Sequence, residues 1–180
     1  MTNRLTRDDW IIAGFHALAA DGPRALKAEA LARNLGTTKG SFYWHFKDVP
    51  AFHAAMLAHW KEKAVSDIIE TLEGIPEPRQ RFRRLASMAS EAAPERYGGF
   101  AVEPAIRAWA LQDPLVAAGV ADVDKARIAY LSEILVACDR PASLALMVYG
   151  AYVGLDDLAS RGADGTVAAL ATLVEQILEQ

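Results

Sequence analysis

Three observations predict an all-α protein. Alanine leads a chain that is 52% hydrophobic, and β-branched runs are scarce, a composition that favours helix. Apolar residues recur at i, i+4 and i+7 in one segment after another, which is the helical period. Capping residues, glycines and prolines punctuate these segments, and no alternating stretch reads as a convincing strand. About nine helices account for the chain.

Thr6 followed by Asp9 reads as a capping box. Ile11, Phe15 and Leu18 then mark one face of the first helix, which Asp21-Gly22-Pro23 stops. Ala28, Leu31, Ala32 and Leu35 repeat the spacing on the second helix. Gly36 suits its end, where a left-handed residue is often needed. Thr38 can cap a third helix of about two turns, Thr38 to Trp44. There Phe42 and Phe46, four apart, face inward, which leaves Lys39, Ser41, Tyr43 and Trp44 largely on other faces.

Asp48 as N-cap and Pro50 in the first turn open a long fourth helix, to about Glu73. Phe52, Met56, Trp60 and Ala64 lie along one side of it. Gly74-Ile75-Pro76-Glu77-Pro78 is a break, and a helix from about Pro78 to Ala92 follows. Arg79, Arg81, Arg83 and Arg84 in its first half read as a solvated face. Pro94 to Gly99 reads as a loop. The next helix covers Val102 to Leu111, entered through Pro104. Asp113-Pro114 is the N-cap and first position of another, reaching about Cys138. After Arg140-Pro141 a helix spans about Ala142 to Arg161, and a last one follows Gly165 to about Glu179. No internal repeat, low-complexity linker or Gly/Ser-rich hinge interrupts the series.

A length of 180 residues allows one large domain, or a small one joined to a medium one. The net charge of −4 argues against a general nucleic-acid coat, but the charge is unevenly placed. Residues 1–63 carry nine Lys/Arg against six Asp/Glu, and residues 64–180 carry ten against seventeen. All four histidines also fall in the first part. A basic head on an acidic body suits a polyanion-binding unit whose body is repelled. The single cysteine, Cys138, permits no intramolecular disulfide and points to a reducing cytosol. The start MTNRLTRDDW lacks the apolar core of a signal peptide. The longest uncharged run, Pro141 to Leu155, is too short to span a membrane and predicts a buried helix.

The chemistry concentrates in Ala25 to Phe46, ALKAEALARNLGTTKGSFYWHF. Two short helices joined by a tight turn, the second aromatic and crowded with polar groups, form a mixture a core does not need. In a helix-turn-helix the first helix braces the second, whose exposed side chains enter the major groove. Nearby Lys, Ser, Thr and Tyr side chains and helix-end amides hold phosphates and set the register. With the turn at Leu35-Gly36-Thr37-Thr38, the candidate DNA contacts are Thr37, Thr38, Lys39, Ser41, Tyr43, Trp44, His45 and Lys47. Trp44 could touch a base edge or shield the turn. For His45, phosphate contact is favoured over a structural hydrogen bond.

Other chemistries find no pattern. GTTKGS has the wrong spacing for a phosphate loop and no preceding strand. His53 and His59 are six apart and share no helix face, so no metal pair is expected. No G-x-S-x-G, H-E-x-x-H or C-x-x-C occurs, so no catalytic residue, metal or cofactor is predicted.

The stretch LARNLGTTKGSFYWHFKD resembles the signature of the TetR family of bacterial repressors. The resemblance rests on Leu31-Ala32, Gly36, Thr38-Lys39-Gly40-Ser41, Phe42-Tyr43-Trp44-His45-Phe46 and Lys47-Asp48, and covers roughly residues 5–60 with the first helix. It implies a homodimer that binds a double-stranded operator, with a DNA-binding domain at 1–48 and an effector-binding and dimerisation domain at 49–180. It implies that Tyr43 and His45 grip phosphates and that Lys39 enters the reading helix. Many relatives have a Lys two residues beyond the position of Lys47, where this chain has Val49. Anchoring there therefore rests on Lys47 and helix amides.

In the body, Gly150 and Gly154 are four apart and permit close approach of another helix. A dimer face is the preferred reading, with packing inside one subunit as the alternative. Trp60, Trp109, Tyr130 and Tyr149 are candidate contacts for an unknown, largely apolar small-molecule effector. The expectation is thus a cytoplasmic, effector-released repressor with no membrane partner. The competing reading is an all-helical small-molecule-binding protein or enzyme with an incidental helix-turn-helix. Activation in place of repression leaves no mark on the sequence.

Overall fold

The structure, a computed structural model, describes residues 5–90 and 101–179. The described secondary structure is entirely helical. The helices are α1 (Arg7–Asp21), α2 (Ala28–Asn34), α3 (Lys39–His45), α4 (Val49–Lys61), α5 (Asp67–Glu73), α6 (Pro78–Ser90), α7 (Val102–Ala110), α8 (Pro114–Ala137), α9 (Leu144–Ser160) and α10 (Thr166–Glu179). A π turn at Glu62–Ser66 joins α4 to α5 as one long helix, which leaves nine among the described residues, as expected. The predicted loop Pro94 to Gly99 and the end of the preceding helix lie outside the described residues.

Local signals act where the sequence places them. Thr6 and Asp9 close a reciprocal capping box on α1. The Asp48 carboxylate accepts the Ala51 amide at 2.7 Å at the head of α4. Asp113 accepts the Leu115 amide at 2.9 Å at the head of α8.

The described residues form two compact units. The first holds the chain to Trp60 together with α7 and the start of α8 to Gly119. Its core centres on Phe42, whose ring lies 5.4 Å from both Trp10 and Phe52 and 5.3 Å from Phe46. Gly14 lets α1 and α4 approach closely, since a Cβ there would meet Phe52 Cζ at 2.6 Å and Met56 Sδ at 2.7 Å. Trp10 is wholly buried in this core. Sequence reading marked only Ile11, Phe15 and Leu18 on α1, because Trp10 precedes the i, i+4, i+7 series.

The second unit runs from Lys61 through α6 and from Val120 onward. Phe82, Leu135, Val148, Val174 and Ile177 are among its core, drawn from α6, α8, α9 and α10. Arg79, Arg83 and Arg84 of α6 are exposed, as expected of a solvated face, and there Arg83 pairs with Glu175 of α10 through two bonds of 2.7 and 2.8 Å. Arg81 donates twice to the Ile75 carbonyl, at 3.0 and 2.7 Å. One expectation is corrected: the uncharged run Pro141 to Leu155 is not buried throughout. α9 buries Ala145, Val148 and Tyr149 but exposes Leu146, Met147, Gly150 and Gly154. Among the described residues, no helix is long and apolar enough to cross a membrane.

Candidate nucleic-acid interface

The turn between α2 and α3 is built by backbone chemistry. Gly36 adopts φ 63°, so the Thr37 amide reaches the Ala32 carbonyl at 2.9 Å and the Gly36 amide reaches that of Arg33 at 3.2 Å. This is a Schellman closure, which satisfies the last carbonyls of α2 and turns the chain sharply. Thr38 caps α3, its hydroxyl accepting the Ser41 amide at 3.4 Å.

α3 has a sharp division of faces. Phe42, and Phe46 just beyond the helix, are buried as expected. Arg7 places its guanidinium 5.3 Å from the centre of the Phe46 ring, which ties the start of α1 to the end of α3. Away from the core, Thr38, Lys39, Tyr43, Trp44 and Lys47 are exposed, while Thr37, Ser41 and His45 are half-buried. Trp44 is 78% exposed, so it does not shield the turn. The Thr6 backbone and hydroxyl bonds, in that order, pull the Asp9 carboxyl below its usual range.

Lys39 is engaged within the unit. Its Nζ donates to the Glu29 carboxylate of α2 at 2.5 Å and lies 5.9 Å from the centre of the Tyr43 ring. Glu29 had no signal in the sequence. It precedes Lys39 by ten residues across a turn, and helix periodicity pairs residues only along one helix.

The candidate effector contacts are divided between the two units. Trp60 and Trp109 are buried in the first unit, where Trp109 stands edge-on to His53 with ring centres 4.8 Å apart. Tyr130 and Tyr149 belong to the second. The Tyr149 hydroxyl donates to Asp124 at 2.7 Å. The Tyr130 hydroxyl is buried with no hydrogen-bond partner among the described residues, and burial pushes its pKa up. Gly150 and Gly154 are exposed, and a Cβ built on either meets nothing within 4 Å. Among the described residues, no other helix therefore packs on these glycines. No group of His, Cys, Asp and Glu able to hold a metal occurs among the described residues.

Residues 11–48, which hold the turn and the whole of α3, match the family model of bacterial regulatory proteins of the tetR family. This segment is a TetR-family helix-turn-helix. Solved structures agree in fold along nearly its whole length. A candidate transcriptional regulator from Saccharomonospora viridis, solved in complex with choline, shares 16% identity at a TM-score of 0.79, over 97% of this chain and 95% of that one. A candidate TetR-family regulator from Rhodococcus sp. shares 21% at 0.75, over 96% and 98%. A transcriptional regulator from Rhodococcus sp. Rha1 shares 18% at 0.78, over 97% of each. No curated protein matches the sequence. At these identities the likeness is one of fold, and the TetR-family helix-turn-helix is what the chain shares in sequence.

Proposed function

We propose that this TetR-family regulator is a repressor that binds a pseudo-palindromic operator as a homodimer and is released by a small, largely apolar effector. The carrying observation is the division of α3: Phe42 and Phe46 lock it into the core while Lys39, Tyr43 and Trp44 stand outward. Polar and aromatic groups on a rigid helix can enter a groove with little ordering cost. Residues 1–48 serve as the reading domain and residues 49–180 as the effector and dimerisation domain. This division is by role, since α4 to Trp60 packs with the reading helices.

A dimer is supported by the outward face of α9. Leu146, Met147, Gly150, Gly154 and Leu158 are exposed along it, more apolar surface than a monomer has reason to show water. Two such subunits would set their reading helices about 34–36 Å apart, one turn of duplex. An effector is supported by the relative solved with choline. It would act by binding better to a dimer spacing that no longer fits the operator. The cytoplasm is the compartment that suits this role.

Selection of genomic fragments on the purified protein, followed by titration of the recovered duplex, tests the reading. Binding should be sequence-specific and weaken steeply with salt. Lys39→Ala and Tyr43→Ala should each weaken it about tenfold, as loss of a phosphate or base contact does. Unchanged affinity in both variants would remove α3 from the interface.

A further inference from the structure

The outward face of the helix-turn-helix carries a carboxylate where the neighbouring candidates are basic, hydroxyl or aromatic. Glu29, on the exposed side of α2, accepts a hydrogen bond from Lys39 Nζ at 2.5 Å. Both side chains stay at least half exposed. Lys39 is the first residue of α3 and lies beside the Tyr43 ring. One of the two lysines on α3 and the loop after it, Lys39 and Lys47, is thus already engaged.

An exposed pair of this kind holds little folding energy. Both helices are instead anchored in the core, α2 by Leu31 and Ala32 and α3 by Phe42, all buried. The pair therefore matters most when another anion approaches. A duplex phosphate that takes Lys39 must displace a carboxylate already bonded to it, and that carboxylate then stands against the polyanion.

We propose that Glu29 competes with DNA phosphates for Lys39 and so lowers the sequence-independent affinity of the reading surface. The proposal rests on α3 being the DNA-reading helix. Base-edge contacts made by other residues of α3 are untouched by this competition. The surface thereby gives up grip that every duplex would share.

Glu29→Gln keeps the shape of the side chain and removes its charge, and Glu29→Ala removes the acceptor as well. Each is titrated by fluorescence anisotropy against a duplex recovered by genomic selection on the wild type, and against a random duplex of equal length. The salt range is about 50 to 300 mM, wide enough to define a slope. Both variants should bind both duplexes more tightly by the same factor, about two- to fivefold, the equivalent of one exposed ion pair. The slope of log affinity against log salt should steepen by about 0.9, one further phosphate neutralised. Melting temperatures should match the wild type. Unchanged affinity and slope in both variants overturn the proposal while leaving DNA binding in place. So does weaker operator binding with random-duplex binding spared, which would make Glu29 a group that aims Lys39 at a base. A wild type that recovers and binds no duplex overturns the reading of α3 itself, and this proposal with it.

Discussion

Arg127 donates its Nε hydrogen to the carbonyl oxygen of Ala64 at 3.0 Å. Ala64 lies within the π turn of Glu62–Ser66. A π turn widens the helix and disturbs its regular ladder of carbonyls and amides. The guanidinium supplies a donor there, and its Cζ lies 5.6 Å from the centre of the Tyr152 ring. Arg127→Ala should destabilise the protein by roughly 1–3 kcal/mol, the cost of leaving a half-buried acceptor without its charged donor. Urea denaturation measures this, and a midpoint equal to wild type would show that water replaces the guanidinium at no cost.

Phe42 sits among Trp10, Tyr43, Phe46 and Phe52, with ring centres 5.3–5.4 Å away. Phe42→Ala should cost about 3–5 kcal/mol, since it opens a large cavity. Loss of DNA binding should accompany loss of helix signal in circular dichroism. A variant that stays folded yet loses the operator would instead place Phe42 in contact with DNA.

His53 gives a pH dependence. Burial lowers its pKa, outweighing the bond to the Leu26 carbonyl at 3.4 Å and the charge of Asp113, both of which raise it. The folded protein therefore binds this proton less readily than the unfolded chain. The stability that goes with neutral His53 is complete above the unfolded value, about 6.5, and is lost as pH falls from there toward the lower folded value. His53→Gln should flatten the melting temperature between about pH 6.5 and 5 relative to wild type. Parallel curves for the two proteins would exclude His53 as the source.

Gly154→Arg tests the outward face of α9. A Cβ built there meets nothing within 4 Å among the described residues, so the fold should survive. Light scattering should show the wild type as a dimer and the variant as a folded monomer. Cooperative operator binding should fall by about 10²-fold or more with the loss of the linked second site. A variant that remains dimeric would move the interface elsewhere.

The order of the helices and the helix-turn-helix are legible in the sequence, because those signals are local. Thr6 with Asp9, Gly36, Thr38, Asp48 and Asp113 act within a few residues of themselves, and the period of Phe42 and Phe46 follows from helix geometry alone. The tertiary structure decided what depends on residues far apart in the chain. Arg83 reads as a surface charge until α10 brings Glu175 to it, 92 positions away. The π turn answers to Arg127, 63 positions on. Trp10 becomes core only when α3 supplies Phe42. Lys39, a candidate DNA contact by its motif, is bonded to Glu29 only because the Gly36 turn folds α2 and α3 together. Periodicity and capping describe each helix in isolation, and side-chain partners are chosen by the packing of one helix on another.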